Sequence, residues 1–158
     1  MNITFRAATI RDLKDIQNLG TKLTNEEYRR FDKTILKHTK IRDKKDRKDI
    51  RRNIKNGCVV LALAGKLPVA YILGSLEKSS PYRIPLRIAN LELMYVSKNY
   101  RRFGIGTKLI KKFLIWAKSK KADRIKVVAY ASNNEAINLY RKFGFNDYTI
   151  RLEKNLTK

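Results

Sequence analysis

Cysteine and histidine are almost missing from this chain of 158 residues, with Cys58 and His38 the sole examples. One thiol cannot form an intrachain disulfide, which suits a reducing cytoplasm and excludes a cysteine-rich zinc site. One imidazole excludes a mechanism or metal centre that needs several, so no metal is expected. His38, in a basic stretch, reads as a solvated surface group, and Cys58 as a small core residue opening an apolar strand. No apolar run approaches the roughly 18 residues that a membrane span requires. Residues 1–11 lack an apolar signal-peptide core and carry Arg6 and Arg11 instead. The expectation is a soluble, cytoplasmic protein without a membrane partner.

Acidic residues are also scarce. There are 14 against 37 Lys and Arg, a net charge of +23. A positive field of that size concentrates phosphates. It fits a nucleic-acid partner, a phosphate-bearing cofactor, or simply a lysine-rich proteome. Gln17 is the only glutamine while lysine, isoleucine, asparagine and tyrosine are plentiful, a profile compatible with AT-rich coding.

The length fits one domain, residues 1–158, with a single core. Ile3 and Phe5 alternate with polar neighbours as in a half-buried strand. Thr9, with Asp12 three positions on, is a helix start, and Ile10, Leu13, Ile16 and Leu19 form a stripe expected to end near Gly20. Asn25 is the expected cap of a further helix carrying Tyr28, Phe31, Ile35 and Leu36. Arg42 to Lys55 is almost wholly charged, with Ile50 and Ile54 its apolar contacts, and reads as a surface helix closed by Gly57. Cys58 to Ala64 and Pro68 to Leu76 form a hairpin about Gly65-Lys66. Leu86 to Val96 is the next strand, with Leu91, Leu93 and Tyr95 expected on one face and Asn90, Glu92 and Met94 on the other. Gly104 to Lys120 is an amphipathic helix with Ile105, Leu109, Phe113, Trp116 and Ala117 inward. Arg124 to Tyr130 is β-rich, Asn133 to Phe143 is a helix stopped by Gly144, and Phe145 to Leu152 is expected as a final strand. The order β-α-α-β-β-β-α-β-α-β indicates an α/β chain of α+β type, with a mixed sheet rather than a doubly wound one.

Arg101-Arg102-Phe103-Gly104-Ile105-Gly106 lies where a strand gives way to a helix. Its glycines let the backbone approach a ligand, and the first helical N–H groups, with the helix dipole, suit a pyrophosphate. Arg101 and Arg102 add positive charge at the entrance. A dinucleotide fingerprint would need a third glycine where Leu109 stands. A phosphate-loop NTPase would need Gly-Lys-Ser/Thr, and Gly106-Thr107-Lys108 has the wrong order. The plain alternative is a glycine-rich turn with no ligand.

The run from Leu91 through Val96 and Tyr100-Arg101 to Gly104-Ile105-Gly106 resembles the central motif of the GNAT acetyltransferases. Asn133-Asn134-Glu135-Ala136-Ile137-Asn138-Leu139-Tyr140-Arg141-Lys142-Phe143-Gly144-Phe145 resembles the family's second motif. The element order matches the GNAT acyltransferase fold over nearly the whole chain, most weakly from 24 to 56. The resemblance implies acetyl-CoA as co-substrate and an amine as acceptor. It implies a strand splayed from its neighbour, whose backbone at Met94, Tyr95 and Val96 binds the acetyl carbonyl and pantetheine amides. It assigns the pyrophosphate to the backbone from Arg101 through Arg102, Phe103, Gly104, Ile105 and Gly106 to Thr107. It assigns the pantetheine arm to Asn133, and proton donation to the departing thiolate to Tyr140.

A phenol, with an ordinary pKa near 10 against about 8.5 for a thiol, is protonated near neutral pH. The alternative for Tyr140 is core packing. Glu92, four residues before Val96, is the candidate general base, a spacing that resembles polyamine-type members with a Glu there. Histone-type members place theirs at the position of Asn90. The alternatives are a solvated carboxylate, a partner for Arg87, or Glu77 as base. A polycationic acceptor is disfavoured by the positive field. Small amines, protein N-termini, lysines and amines on anionic carriers remain, as does a homodimer. Rival readings are a nucleic-acid- or chromatin-associated module using Arg42 to Lys55, which Asp43, Asp46 and Asp49 interrupt, and a non-catalytic CoA binder.

Overall fold

A computed structural model describes residues 2–36 and 40–156, so His38 lies outside the described residues. The chain divides into two compact units, residues 1–128 and 129–158. The first carries a five-stranded sheet in the order β1-β2-β3-β4-β5. Strands β1 (Ile3–Ala7), β2 (Cys58–Ala64), β3 (Leu67–Lys78) and β4 (Arg87–Val96) pair antiparallel in succession. Strand β5 (Arg124–Val127) runs parallel to β4, and the return path required by parallel pairing is helix α3 (Ile105–Ser119). Helices α1 (Leu13–Arg30) and α2 (Lys40–Asn56) connect β1 to β2. The sheet is mixed, as the element order implies.

The apolar run of β2 is buried from Cys58 through Leu63, as expected of a strand covered on both faces. On one face Val59, Leu61 and Leu63 join Tyr71, Leu73 and Tyr95 beneath Ile16 and Leu19 of α1 and Ile50 of α2. The intervening residues Val60, Ala62, Ala70 and Ile72 are buried toward the other face, where Leu109, Ile110 and Phe113 of α3 are fully covered. Each large side chain so buried contributes about 1.5–3 kcal/mol relative to exposure.

Helix α1 does not stop at Gly20 but continues to Arg30, so Asn25 is an interior residue, and Ile35 and Leu36 fall beyond the helix. Gly20 marks a close approach. A Cβ there would lie 3.4 Å from the hydroxyl of Tyr71, which is wholly buried. Its weak helix propensity is outweighed by that packing. Thr9 and Asp12 do form the expected start: the Thr9 N–H donates to the Asp12 carboxylate at 2.7 Å, which Arg6 also grips. Helix α2 includes the whole of Arg42 to Lys55, and Gly57 follows with its N–H on the Asn53 carbonyl at 2.9 Å.

The expected faces of β4 are not those observed. Leu91 pairs with Gly74 and Leu93 with Leu73, so Glu92 is the extra residue of a bulge. The alternation resets there. Leu93 shares the α1/α2 side with its partner Leu73, while Leu91 lies opposite Gly74, where a Cβ would meet the Phe113 ring at 2.5 Å.

In the second unit, α4 (Asn134–Arg141) is capped by Asn133, whose side chain accepts from the Ala136 N–H at 3.3 Å. The chain reverses at Gly144, in the left-handed region at φ 83°. Two strand expectations fail. β5 ends at Val127 rather than Tyr130, and Phe145 to Leu152 forms no strand. Tyr148, Ile150 and Leu152 do alternate, but they are 70–89% exposed and fall in no described strand. Period two marks a strand only where a partner strand and a covering face exist. The described order therefore closes on α4.

Candidate active site

Strand β4 leads into the site. Its pairing with β5 joins Ile88–Leu91 to Arg124–Val127 and goes no further. Beyond Leu91 the backbone through Met94, Tyr95 and Val96 keeps β3 as its sheet neighbour but has no partner in β5. Unpaired strand N–H and C=O groups next to an ordered sheet are ready to bind an extended ligand.

A tight turn follows. The Ser97 N–H bonds the Val69 carbonyl at 2.9 Å, and Lys98–Tyr100 forms a single 3₁₀ turn. Arg102 (φ 68°) and Gly104 (φ 73°) are both left-handed and flank Phe103, which is 60% exposed. Such residues turn successive N–H groups toward a common concavity, an anion-binding arrangement. The first α3 hydrogen bond outside its regular ladder runs from Lys108 N–H to the Gly104 carbonyl. The N–H groups of Ile105, Gly106 and Thr107 precede it and lack intrahelical acceptors, at the positive end of a 15-residue helix. A non-glycine residue held left-handed costs about 1–3 kcal/mol, a strain typical of ligand-binding turns.

The two arginines of this corner were expected to supply charge at its entrance. Arg101 is instead committed to α1. Its guanidinium makes a bidentate pair with Glu26 at 2.9 and 2.7 Å, and its Nε donates to the Val96 carbonyl at 2.9 Å. It also lies 5.6 Å from the Tyr95 ring centroid. Glu26 accepts from Arg30 as well, at 3.0 Å. The Arg101 hydrogen bonds, opposed by burial and assisted by Arg30, hold the Glu26 carboxyl below its ordinary range. Arg101 therefore ties the end of β4, the turn and α1 together.

Glu92, at the bulge, is half-buried. One carboxylate oxygen accepts from Ser75 Oγ of β3 and the other from Asn53 Nδ2 of α2 at 3.1 Å. Arg87, weighed as its partner, instead donates from its side chain to the Lys120 carbonyl. Glu77, the other candidate base, is paired with Lys126.

In the second unit Tyr140 is 8% exposed, its ring 5.7 Å from that of Phe145. Burial pushes its phenol up to about 12. Asn133 is occupied as the α4 cap. Cys58 is buried, and burial pushes its thiol up to about 11. Among the described residues no cluster of three His, Cys, Asp or Glu could hold a metal ion, and no helix is long and apolar enough to cross a membrane.

Four residues escaped the sequence reading, and Ser75, which donates to Glu92, carried no local signal. Asn53 carried a signal, being a polar side chain between Ile50 and Ile54 on a buried helical stripe. Gly74, which admits the Phe113 ring, hinted at the irregularity that faces Glu92. Glu26 carried none, because its partner lies 75 positions away.

A profile of the acetyltransferase (GNAT) family matches residues 21–145. A mouse thialysine N-epsilon-acetyltransferase is 41% identical over 59 residues, which span 37% of this chain and 35% of that protein's length. The fold superposes on a mutant BH1408 protein from Bacillus halodurans with a TM-score of 0.84 at 16% identity, covering 98% of this chain and 99% of that one. A protein described as a predicted acetyltransferase from Clostridium acetobutylicum, crystallised with acetyl-CoA, gives a TM-score of 0.79 at 21% identity, with 98% and 97% covered. At such identities these structures establish the fold, and the profile, spanning most of the chain, establishes the family: this protein is a member of the GNAT acetyltransferases.

Proposed function

We propose that the protein transfers the acetyl group of acetyl-CoA to a primary amine by direct attack in a ternary complex. The observation that carries this reading is the unpaired backbone of β4 beyond Leu91, running directly into the left-handed turn and open N–H groups of residues 103–107. An extended pantetheine suits the first and a pyrophosphate the second.

The chemistry requires a neutral amine, a polarised thioester carbonyl and an assisted leaving thiolate. Glu92 accepts the amine proton, directly or through one water, as the nitrogen attacks. Strand N–H groups at Met94 to Val96 stabilise the developing oxyanion. The C–N bond forms, the C–S bond breaks, and Tyr140 donates a hydrogen bond to the sulfur. Asn133, whose side-chain oxygen caps α4, contacts the pantetheine arm from the start of that helix.

The acceptor is a small amine, a protein N-terminus or a lysine. The thialysine relative favours an ε-type amine on a small molecule, and the charge of +23 disfavours a free polyamine. A thiol-release screen over thialysine, lysine, peptide N-termini, spermine and purified cytosolic proteins tests the proposal. Amine-dependent CoA release is expected, strongest outside the polyamines. Release with no acceptor above the amine-free background would reject catalysis and leave a CoA-binding protein.

A further inference from the structure

We infer that Asn53 and Ser75 are a positioning pair for Glu92, aiming its carboxylate by two neutral hydrogen bonds from two different elements. The inference rests on Glu92 being the base. Glu92 is the unpaired residue of a β-bulge, so no regular ladder partner fixes its direction. Each oxygen instead meets one donor: Ser75 Oγ from β3 on Oε1, and Asn53 Nδ2 from α2 on Oε2. Two anchors on one planar group fix its torsion and leave its remaining lone pairs for a proton or a water.

Asn53 is held firmly enough to serve. It is 1% exposed. The turn after it presses on the sheet so closely that a Cβ at Gly57 would lie 2.4 Å from the Gly74 carbonyl and 2.9 Å from the Asn53 side-chain oxygen. Gly57 and Gly74 thus bring the end of α2 and the bulge within hydrogen-bond reach of each other.

The neutrality of the pair is the functional point. Several other carboxylates of this basic chain meet cations: Asp12 meets Arg6, Glu26 meets Arg101, Glu77 meets Lys126 and Asp147 meets Arg141. Among the described residues no Lys or Arg pairs with Glu92. A cation there would repel an approaching ammonium. An amide and a hydroxyl orient the carboxylate without adding a positive charge beside it. Direction is what general-base catalysis demands, because a displacement of about 1 Å costs on the order of 100-fold.

The test is a set of kinetic cycles in the full chain, using thiol release with the fastest amine of the screen. Asn53→Asp is nearly isosteric and removes the donor; Ser75→Ala removes the other, and Ser75→Thr keeps it. Asn53→Asp and Ser75→Ala should each lower kcat by about tenfold or more while the KM for acetyl-CoA stays within about twofold, and Ser75→Thr should retain activity. Glu92→Gln should lower kcat by about 100-fold or more. Adding Asn53→Asp or Ser75→Ala to Glu92→Gln should cost nothing further, because the pair acts through the group already lost. Losses that multiply in the Glu92→Gln background would mark Asn53 and Ser75 as merely structural and overturn the inference. Unchanged kcat in the folded single variants would do the same, and if Asn53→Asp does not fold, the Ser75 variants decide. Unchanged kcat in Glu92→Gln would instead remove Glu92 as base, and the positioning role with it. Absence of turnover with every amine would remove the reaction and reject both.

Discussion

At the scale of single residues, burial decides what Tyr140 can do. Its phenol is pushed up to about 12, because the charged form is penalised away from water. It therefore stays protonated through the neutral and mildly alkaline range. It can donate a hydrogen bond as charge gathers on sulfur, but outright transfer to a thiolate, whose conjugate acid has a pKa of about 8.5, is uphill. Two consequences follow from that sign. Tyr140→Phe should lower kcat by about 10- to 100-fold with little change in acetyl-CoA affinity, measured by steady-state kinetics and calorimetry. The wild-type rate should show no alkaline limb from this group below about pH 11; a limb near pH 9–10 that vanishes in Tyr140→Phe would contradict the assignment. Tyr140 and Glu92 are candidates because each sits in a local run that resembles a GNAT motif. Their surroundings were not legible in the sequence. Asn53 and Ser75 lie 39 and 17 positions from Glu92, and no local pattern reports a contact made by folding.

At the scale of elements, the sequence disclosed the members of the sheet and misplaced their irregularities. Apolar runs and glycine turns announced β2, β3, β4 and α3, because local burial is what a run records. The bulge at Glu92 was hidden, because β4 has no glycine or proline of its own to mark it; the marker is Gly74 on the opposing strand. The missing final strand is the converse, an alternating pattern whose apolar residues are exposed and form no described strand. The contact of α1 with the turn after β4 was equally invisible, and it carries a prediction. Glu26, almost wholly buried, clamps Arg101, and Arg101 holds the Val96 carbonyl beside the cradle. Glu26→Gln leaves Arg101 with weaker, uncharged company. It should destabilise the fold by about 1–3 kcal/mol and raise the KM for acetyl-CoA more than it changes kcat. The pH dependence has a definite sign. The Glu26 carboxyl lies below its ordinary range in the fold, so its contribution is present above the unfolded pKa and lost as pH falls through the folded one. The stability gap between wild type and Glu26→Gln in urea melts should therefore be full at pH 7 and shrink below about pH 4.5. A gap independent of pH would show that the charge is not what holds the turn.

At the scale of the whole molecule, the excess of positive charge is spread rather than spent at the candidate site. Arg101 is neutralised by Glu26, while Lys44, Lys45, Arg47, Lys48 and Arg51 line an open groove on α2. In α2, Asp46 and Asp49 pair with Arg42 and Arg52 rather than with those groove residues. On the proposed reading, an anionic cofactor would be held by directed backbone N–H groups with the general field as background. Directed hydrogen bonds survive salt, whereas a diffuse field is screened over about 8 Å at physiological ionic strength. Acetyl-CoA should accordingly stabilise the folded protein by mass action, by about 2.7 kcal/mol at a concentration 100 times its Kd. For a chain of this length that corresponds to a rise in Tm of roughly 5–10 °C. The shift should persist in large part at 0.5 M NaCl, since the backbone donors of residues 103–107 remain in place. Inorganic pyrophosphate, which lacks the pantetheine that the unpaired β4 backbone would bind, should give a smaller shift. A thermal melt with no shift at millimolar acetyl-CoA would reject the cofactor assignment. A shift abolished by salt and matched by pyrophosphate would reduce the site to a patch of charge.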